Sequence, residues 1–148
     1  MNDILLYENG NGGELSVVNG DIETTDSLAN QMYLSHFGGN IEADTTGQEI
    51  EGEERFDWWG NEFLDTENQM NSSLERVLNK TSLNSAGRII IENTAKKDLE
   101  FFGDMAKTDC QVSITGNNKL IISDKINQNK INFQWDATKE ELIVEKII

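Results

Sequence analysis

The last third of the chain changes its hydrophobic period to two, and this constrains the fold more than any other feature. From Thr108 onward, the apolar residues Cys110, Val112 and Ile114 alternate with polar ones, as in a strand that buries one face. Turn-forming "GNN" and "NQN" separate this strand from two further apolar runs. The pattern predicts an antiparallel sheet, with the final "ELIVEKII" as a last strand or a short helix.

The N-terminal residues predict a β-hairpin. Two short apolar runs, Ile4–Tyr7 and Leu15–Val18, flank the sequence "ENGNGGE". Asparagine and glycine tolerate positive φ, so this sequence suits a hairpin loop. Asn19, Gly20 and Asp21 predict a second turn.

Three helices are expected between the hairpin and the sheet. A cap at Asp26 or Ser27 and the terminating "GG" predict a helix over Leu28–Phe37. Helical spacing indicates a second helix over Thr66–Leu78 and a third over Leu83–Phe102, capped by Thr81 or Ser82. The predicted apolar stripe of the third helix comprises Leu83, Ala86, Ile90, Ile91, Ala95, Leu99 and Phe102.

This order of elements predicts a single α+β domain over residues 1–148, because the chain is too short for two independent cores. Residues 40–54 lack periodicity and are rich in Asp and Glu, so we expect an acidic loop within the domain. The formal net charge of −15 argues against a protein that binds nucleic-acid phosphates or an anionic membrane surface. Neither a signal peptide nor a transmembrane run is recognisable, so we expect synthesis in a reducing cytoplasm.

Candidate catalytic residues are scarce. Cys110 and His36 are each the single residue of their type, which leaves no internal disulfide and no His cluster for zinc. We expect a core thiol and an ordinary helix-end histidine, since a Cys–His dyad would require these distant residues to meet. Motifs for a nucleophile, a phosphate cradle or a metal are lacking. The sequence therefore predicts a protein that is not an enzyme and has no catalytic residues, cofactor or metal.

Two adjacent tryptophans lie in the polar stretch "ERFDWWGNEF". Neighbouring side chains on an extended segment point to opposite sides. We therefore expect one of Trp58 and Trp59 to enter the core and the other to anchor an interface. Gly60 would let the chain turn directly afterwards.

The strand "DILL", the run "ELSVVNGDI", the capped helix and the motif "RFDWWG" together resemble the Mu-like phage tail protein family. The matching positions are Asn19, Gly20 and Asp21, the helix Leu28–Phe37, and Arg55, Trp58, Trp59 and Gly60. The family looks like the counterpart of the sheath-initiator wedge proteins of contractile tails. The chain has no proline, so it lacks the Glu-Pro-Arg motif of the better-studied sheath initiators.

The resemblance implies a structural component of the baseplate of a phage tail or phage-tail-like injection machine, located in the virion tail. It implies contacts with wedge and hub or tube proteins, and with the sheath where one exists. It further implies multiple copies in a symmetric ring, with six expected. The alternative is a free acidic regulatory protein that mimics nucleic acid. The clustering of carboxylates in the loop and the Asn, Gln and Lys of the sheet favour the structural component.

The apolar C-terminus adds a second candidate interface. "ELIVEKII" carries apolar residues on both faces if it is a strand, which a small domain would struggle to cover alone. We therefore predict a contact with another baseplate chain through Leu142, Val144, Ile147 and Ile148, together with Arg55 and the tryptophans. The alternative is a last element buried within its own domain.

Overall fold

The computed structural model of the protein describes residues 2–8, 13–39, 59–65, 68–69 and 72–145. The predictions for the acidic loop, for Arg55 and Trp58, and for Ile147 and Ile148 lie outside these residues.

Six short strands open the chain and pair in twos. They are β1 (Asn2–Ile4), β2 (Leu6–Glu8), β3 (Gly13–Leu15), β4 (Val17–Val18), β5 (Asp21–Ile22) and β6 (Thr24–Asp26). The pairs β1–β6, β2–β3 and β4–β5 are all antiparallel. Asn19 and Gly20 join β4 to β5 with φ of 54° and 84°, as a type I′ hairpin turn requires. The predicted hairpin and its second turn are confirmed, and the β1–β6 pair extends them.

Within the described ranges, three α-helices follow, and a 3-10 helix continues the third of them. They are α1 (Ser27–Phe37), α2 (Leu74–Lys80) and α3 (Ser85–Asp98), with 3-10 helices at Trp59–Phe63 and Leu99–Met105. The second helix is shorter than predicted and begins later. The third begins two residues later than predicted, because Asn84 rather than Thr81 or Ser82 caps it: Asn84 Oδ1 accepts a hydrogen bond from the Gly87 amide at 2.9 Å. It ends at Asp98, and the 3-10 helix continues it past the predicted end at Phe102.

The buried face of α3 agrees with most of the predicted stripe. Ile91 and Ala95 are buried, as are Leu99 and Phe102 after the helix, but Ala86 and Ile90 are exposed and Gly87 is buried. Glycine is required at this buried position, since a Cβ there would lie 2.0 Å from the carbonyl oxygen of Ser82. Only glycine allows this close approach between α3 and the loop before it.

Four strands form the C-terminal sheet: the three predicted strands, and a last element that is a strand rather than a short helix. They are β7 (Thr108–Gly116), β8 (Lys119–Ile126), β9 (Asn129–Asp136) and β10 (Glu141–Glu145), in the antiparallel order β10-β9-β8-β7. One face packs on the helices, with Val112, Ile122, Phe133 and Val144 side by side across the four strands. The opposite face is largely polar. The α+β fold is therefore confirmed.

Both edges of this sheet have neighbours within the chain. On the β7 edge, the Val112 amide donates to Glu92 Oε2 at 3.1 Å and the Val112 carbonyl accepts from Arg88 Nη1 at 3.3 Å. These α3 side chains satisfy backbone groups that would otherwise be free to pair with another strand. At the other edge, β2 lies next to β10.

Candidate functional site

A charged histidine lies in the core and joins three elements. His36, in the last turn of α1, is fully buried. Its Nε2 lies 2.5 Å from Asp124 Oδ2 on β8, and its Nδ1 lies 3.7 Å from Asp98 Oδ2 on α3. The rings of Phe37 and Phe133 contact the imidazole edge-on. The prediction of an ordinary helix-end histidine was therefore wrong, because the end of α1 inserts between the sheet and α3.

Two carboxylates set the protonation of His36. Burial alone would lower its pKa, but the charge of Asp124, its hydrogen bond, and the smaller effects of Asp98 raise the pKa to about 9. The imidazole is therefore protonated at neutral pH, and the group is a buried ion pair.

Asp98 has a second role at the start of α2. Its carboxylate accepts hydrogen bonds from the amides of Ser73, at 3.1 and 3.2 Å, and Leu74, at 3.0 Å. A negative charge is favourable at a helix N-terminus. Asp98 thus fixes α2 to α3 while it faces the imidazolium of α1.

Cys110 stands directly across from Asp124 in the β7–β8 pair and is fully buried. Burial, followed by the charge of Asp124, raises the pKa of the thiol far above its ordinary value. A protonated, buried thiol is not a nucleophile. Cys110 is therefore a core thiol, as predicted, although both it and His36 approach the same carboxylate.

The chemistry of this cluster is structural. His36, Cys110 and Asp124 are all inaccessible to solvent, so no substrate reaches them from the surface. Within the described part of the chain, no group of three or more His, Cys, Asp or Glu side chains could hold a metal ion. The cluster joins α1, α3 and the sheet.

The N-terminal strands expose a group of aliphatic side chains to solvent. Five aliphatic side chains there are between 43% and 63% exposed. We call four of them the N-terminal strip: Ile4, Leu15, Val17 and Ile22. The fifth, Val18, lies on the opposite face from its neighbour Val17. Val17 lies directly across from Ile22, and Leu15 precedes Val17 by two residues, so these three share one face of the strands. Isolated exposed aliphatics are ordinary, but a contiguous group commonly marks an interaction site.

Asn30 of α1 anchors these strands to the domain. It is 5% exposed. Its Nδ2 donates to the Ile4 carbonyl at 2.6 Å and to Asp3 Oδ2 at 3.2 Å, and its Oδ1 accepts from the Leu6 amide at 3.0 Å. Sequence reasoning missed this residue. Its position in the sequence could have indicated burial, because Asn30 shares a helical face with Tyr33 and Phe37.

The net negative charge of the chain lies in the first half of the sequence. Residues 1–74 contain 16 Asp and Glu and a single Arg, whereas residues 75–148 contain 11 acidic and 11 basic residues. Residues 2–26, which form the N-terminal strands, contain six carboxylates and no Lys or Arg. The N-terminal strip therefore lies in the acidic half, and the C-terminal sheet in a half without net charge.

Two of the residues that were predicted to form an interface belong to the domain's own core. Leu142 is 5% exposed and belongs to the core, and Val144 packs against that core. The alternative of a last strand buried in its own domain therefore describes these two residues. Trp59 begins a 3-10 helix instead of lying on an extended segment, and Gly60 lies within that turn. The proposed division of roles between the tryptophans stays a prediction.

None of the helices in the described ranges is both long enough and apolar enough to span a membrane. In comparisons with known proteins, no family model, curated protein or solved structure matches the chain.

Proposed function

We propose that the protein is a non-enzymatic structural component of a phage tail or injection-machine baseplate. In this role it joins wedge proteins to the hub or tube, and to the first sheath ring where a sheath exists. The observation that carries the proposal is the N-terminal strip: exposed aliphatic side chains on short paired strands that Asn30 holds in place. An anchored apolar surface of this kind suits a subunit that is covered by a neighbour.

The buried cluster supports a structural role. The ion pair of His36 with Asp124 stabilises the packing of α1 on the sheet, and Asp98 adds the start of α2. A domain joined in this way can present its surfaces in a fixed geometry, as a component of a symmetric ring must.

The experiment is a deletion of the coding sequence in the cell that encodes it, with the chain supplied again from a plasmid. We expect purified tails or tail-like particles to contain the chain in a constant ratio to the other baseplate proteins. We also expect the deletion to abolish complete particles and the plasmid to restore them. Normal particles from the deletion strain, or a chain that never sediments with particles, would contradict the proposal. Co-purification with a nuclease or repressor instead would favour the nucleic-acid mimic.

A further inference from the structure

Four charged side chains form a network along the β7 edge of the C-terminal sheet. We call it the edge network: Arg88, Glu92 and Lys96 of α3, and Asp109 of β7. We propose that the edge network keeps β7 closed to a second copy of the chain, whose own β7 would otherwise pair with it as a further strand. This inference concerns the free chain and does not depend on the proposed function.

The network contacts both backbone groups of the residue at the middle of β7. The Val112 amide donates to Glu92 Oε2 at 3.1 Å, and the Val112 carbonyl accepts from Arg88 Nη1 at 3.3 Å. An antiparallel partner strand would place its own carbonyl oxygen and amide nitrogen about 2.9–3.0 Å from these two groups. Glu92 and Arg88 therefore occupy the positions that a paired strand needs.

A second outward amide of β7 is covered in the same way. β7 has a paired strand on one side only, and the backbone groups of alternate residues point away from that strand. Val112 is one of these residues, so Cys110 is another. The Cys110 amide donates to Asp109 Oδ1 at 2.8 Å. Lys96 Nζ lies 3.7 Å from this Oδ1 and 3.2 Å from Glu92 Oε1, so one cation joins the two carboxylates that cover the edge.

The network also keeps Glu92 charged. The hydrogen bond from the Val112 amide, followed by the hydrogen bond and charge of Lys96 and the charge of Arg88, holds the pKa of Glu92 below its ordinary value. A second strand on β7 would have to displace this carboxylate from its partners or bury it, and both are costly. Charged side chains at a sheet edge are a common protection against pairing with another chain.

A second copy is the partner that an uncovered β7 would accept, because the edge is complementary to itself. Antiparallel pairing about a two-fold axis at Val112 brings Cys110 of each copy opposite Ile114 of the other, so the outward amides and carbonyls of all three residues match. With nine residues, β7 offers a long edge. It lies in the half of the chain whose acidic and basic residues are equal in number, so net charge does not oppose this contact.

Sedimentation velocity of two double variants of the free chain tests the inference. Arg88→Ala with Glu92→Ala uncovers both backbone groups of Val112 and removes one charge of each sign, so the net charge stays at −15. The control, Lys97→Ala with Glu100→Ala, also removes one charge of each sign, at exposed positions. We expect the wild type and the control to stay monomeric. The Arg88 and Glu92 variant should dimerise at a protein concentration at least tenfold below any at which the wild type does.

Two single variants separate the hydrogen bond from the charge. Glu92→Ala and Glu92→Gln both remove the carboxylate charge, but glutamine keeps an oxygen that can accept from the Val112 amide. We expect Glu92→Ala to self-associate more strongly than Glu92→Gln. Equal association of the two would overturn the role of this hydrogen bond in closing the edge. Unchanged thermal unfolding at low protein concentration establishes that the variants fold.

Disulfide crosslinking locates the contact in the dimer. In the two-fold arrangement about Val112, Gln111 of one copy faces Ser113 of the other, and both side chains are exposed. We therefore add Gln111→Cys or Ser113→Cys to the alanine double variant. A mixture of the two should give at least fivefold more disulfide-linked dimer than either alone, because directly opposite Cβ atoms lie about 4.5–5.5 Å apart.

The remaining outcomes are equally decisive. An alanine double variant that folds and stays monomeric would overturn the inference, as would a control that dimerises to the same extent. Equal crosslinking in the mixture and in the separate preparations would place the contact elsewhere than the β7 edge and would also overturn it.

Discussion

The C-terminal sheet and the N-terminal strands place similar residues in opposite environments. Val112 and Ile122 of the sheet are 3% and 0% exposed, whereas Val17 and Ile22 of the N-terminal strands are 63% and 44% exposed. The difference is the layer behind each set of strands. Helices cover one face of the sheet, while the N-terminal strands meet the domain through Asn30, the start of α1 and the contact of β2 with β10. The same side chains therefore stabilise the fold in one region and remain available for a partner in the other.

Charge follows the same division. The sheet and α3 lie in a half with equal numbers of acidic and basic residues, and the N-terminal strands lie in a half with one Arg. Short two-stranded pairs are marginally stable alone in water. The comparison indicates a stable C-terminal unit and less stable N-terminal strands, which under the proposed function a partner would cover.

The largest difference in stability between the two regions should appear when one aromatic side chain is removed from the core. Phe133 is fully buried and contacts both His36 and Phe37. We expect Phe133→Ala to lower the free energy of unfolding by about 3–5 kcal/mol, because it leaves a cavity. Val17→Ala, the control in the N-terminal strip, should change it by less than about 0.5 kcal/mol. Urea unfolding measures both, and comparable losses would show that the strip is part of the core.

Removing the charge of Asp124 should cause the next largest loss of stability. Asp124→Asn leaves the buried imidazole without its closest counter-ion, and breaking one side of a buried ion pair costs about 3–5 kcal/mol. The imidazole of His36 would give up its proton in this variant, so the loss of unfolding free energy should be near the lower end of that range. Urea unfolding at pH 7 measures the change. A loss below about 1 kcal/mol would show that the pair contributes little, and Asp109→Asn, at an exposed position of β7, is the matched control.

The pH dependence of stability should report the same pair. The pKa of His36 is raised from 6.5 to about 9 in the folded protein. The stabilisation is therefore complete below pH 6.5 and is lost as the pH rises through about 9. From the size of this shift we expect a loss of about 3 kcal/mol. Urea unfolding between pH 6 and pH 10 should show this slope in the wild type and not in Asp124→Asn, and identical slopes would contradict the account.

A smaller loss is expected where α3 meets the preceding loop. Gly87→Ala would place a methyl group 2.0 Å from the Ser82 carbonyl oxygen, and the required backbone shift should cost about 1–3 kcal/mol. Asn93→Ala, at an exposed position of the same helix, should be neutral or slightly stabilising. Thermal unfolding of the pair tests whether close packing requires glycine at this position. A Gly87→Ala variant as stable as the wild type would show that the loop at Ser82 shifts at little energetic cost.

Local patterns in the sequence predicted the sheet and the hairpin turn well, and distant contacts account for the failures. The alternation at Cys110 and Val112 and the turn at Asn19 and Gly20 depend on neighbouring residues only. His36 and Asp124, in contrast, are 88 positions apart, and no local pattern indicates that they meet.

The buried position of Gly87 in α3 and the anchoring of the N-terminal strands by Asn30 were missed for a related reason. Gly87 is a poor helix former by propensity, so a pattern of apolar residues assigns the buried position to Ala86 or Ile90, although the loop at Ser82 requires glycine. Asn30 is polar and was therefore not counted with the apolar face of α1, although its hydrogen bonds fix the N-terminal strands. In both cases a backbone group elsewhere in the chain decides the packing.

Amide hydrogen exchange of the chain, free and within purified particles, tests the central claim most directly. The account predicts that amides of the N-terminal strands, such as those of Val17 and Ile22, exchange rapidly in the free chain and at least tenfold more slowly in the particle. Amides of the sheet, such as those of Ile122 and Phe133, should be protected equally in both states. Equal exchange of the N-terminal strands in the two states would contradict the claim that they form the surface covered by a partner.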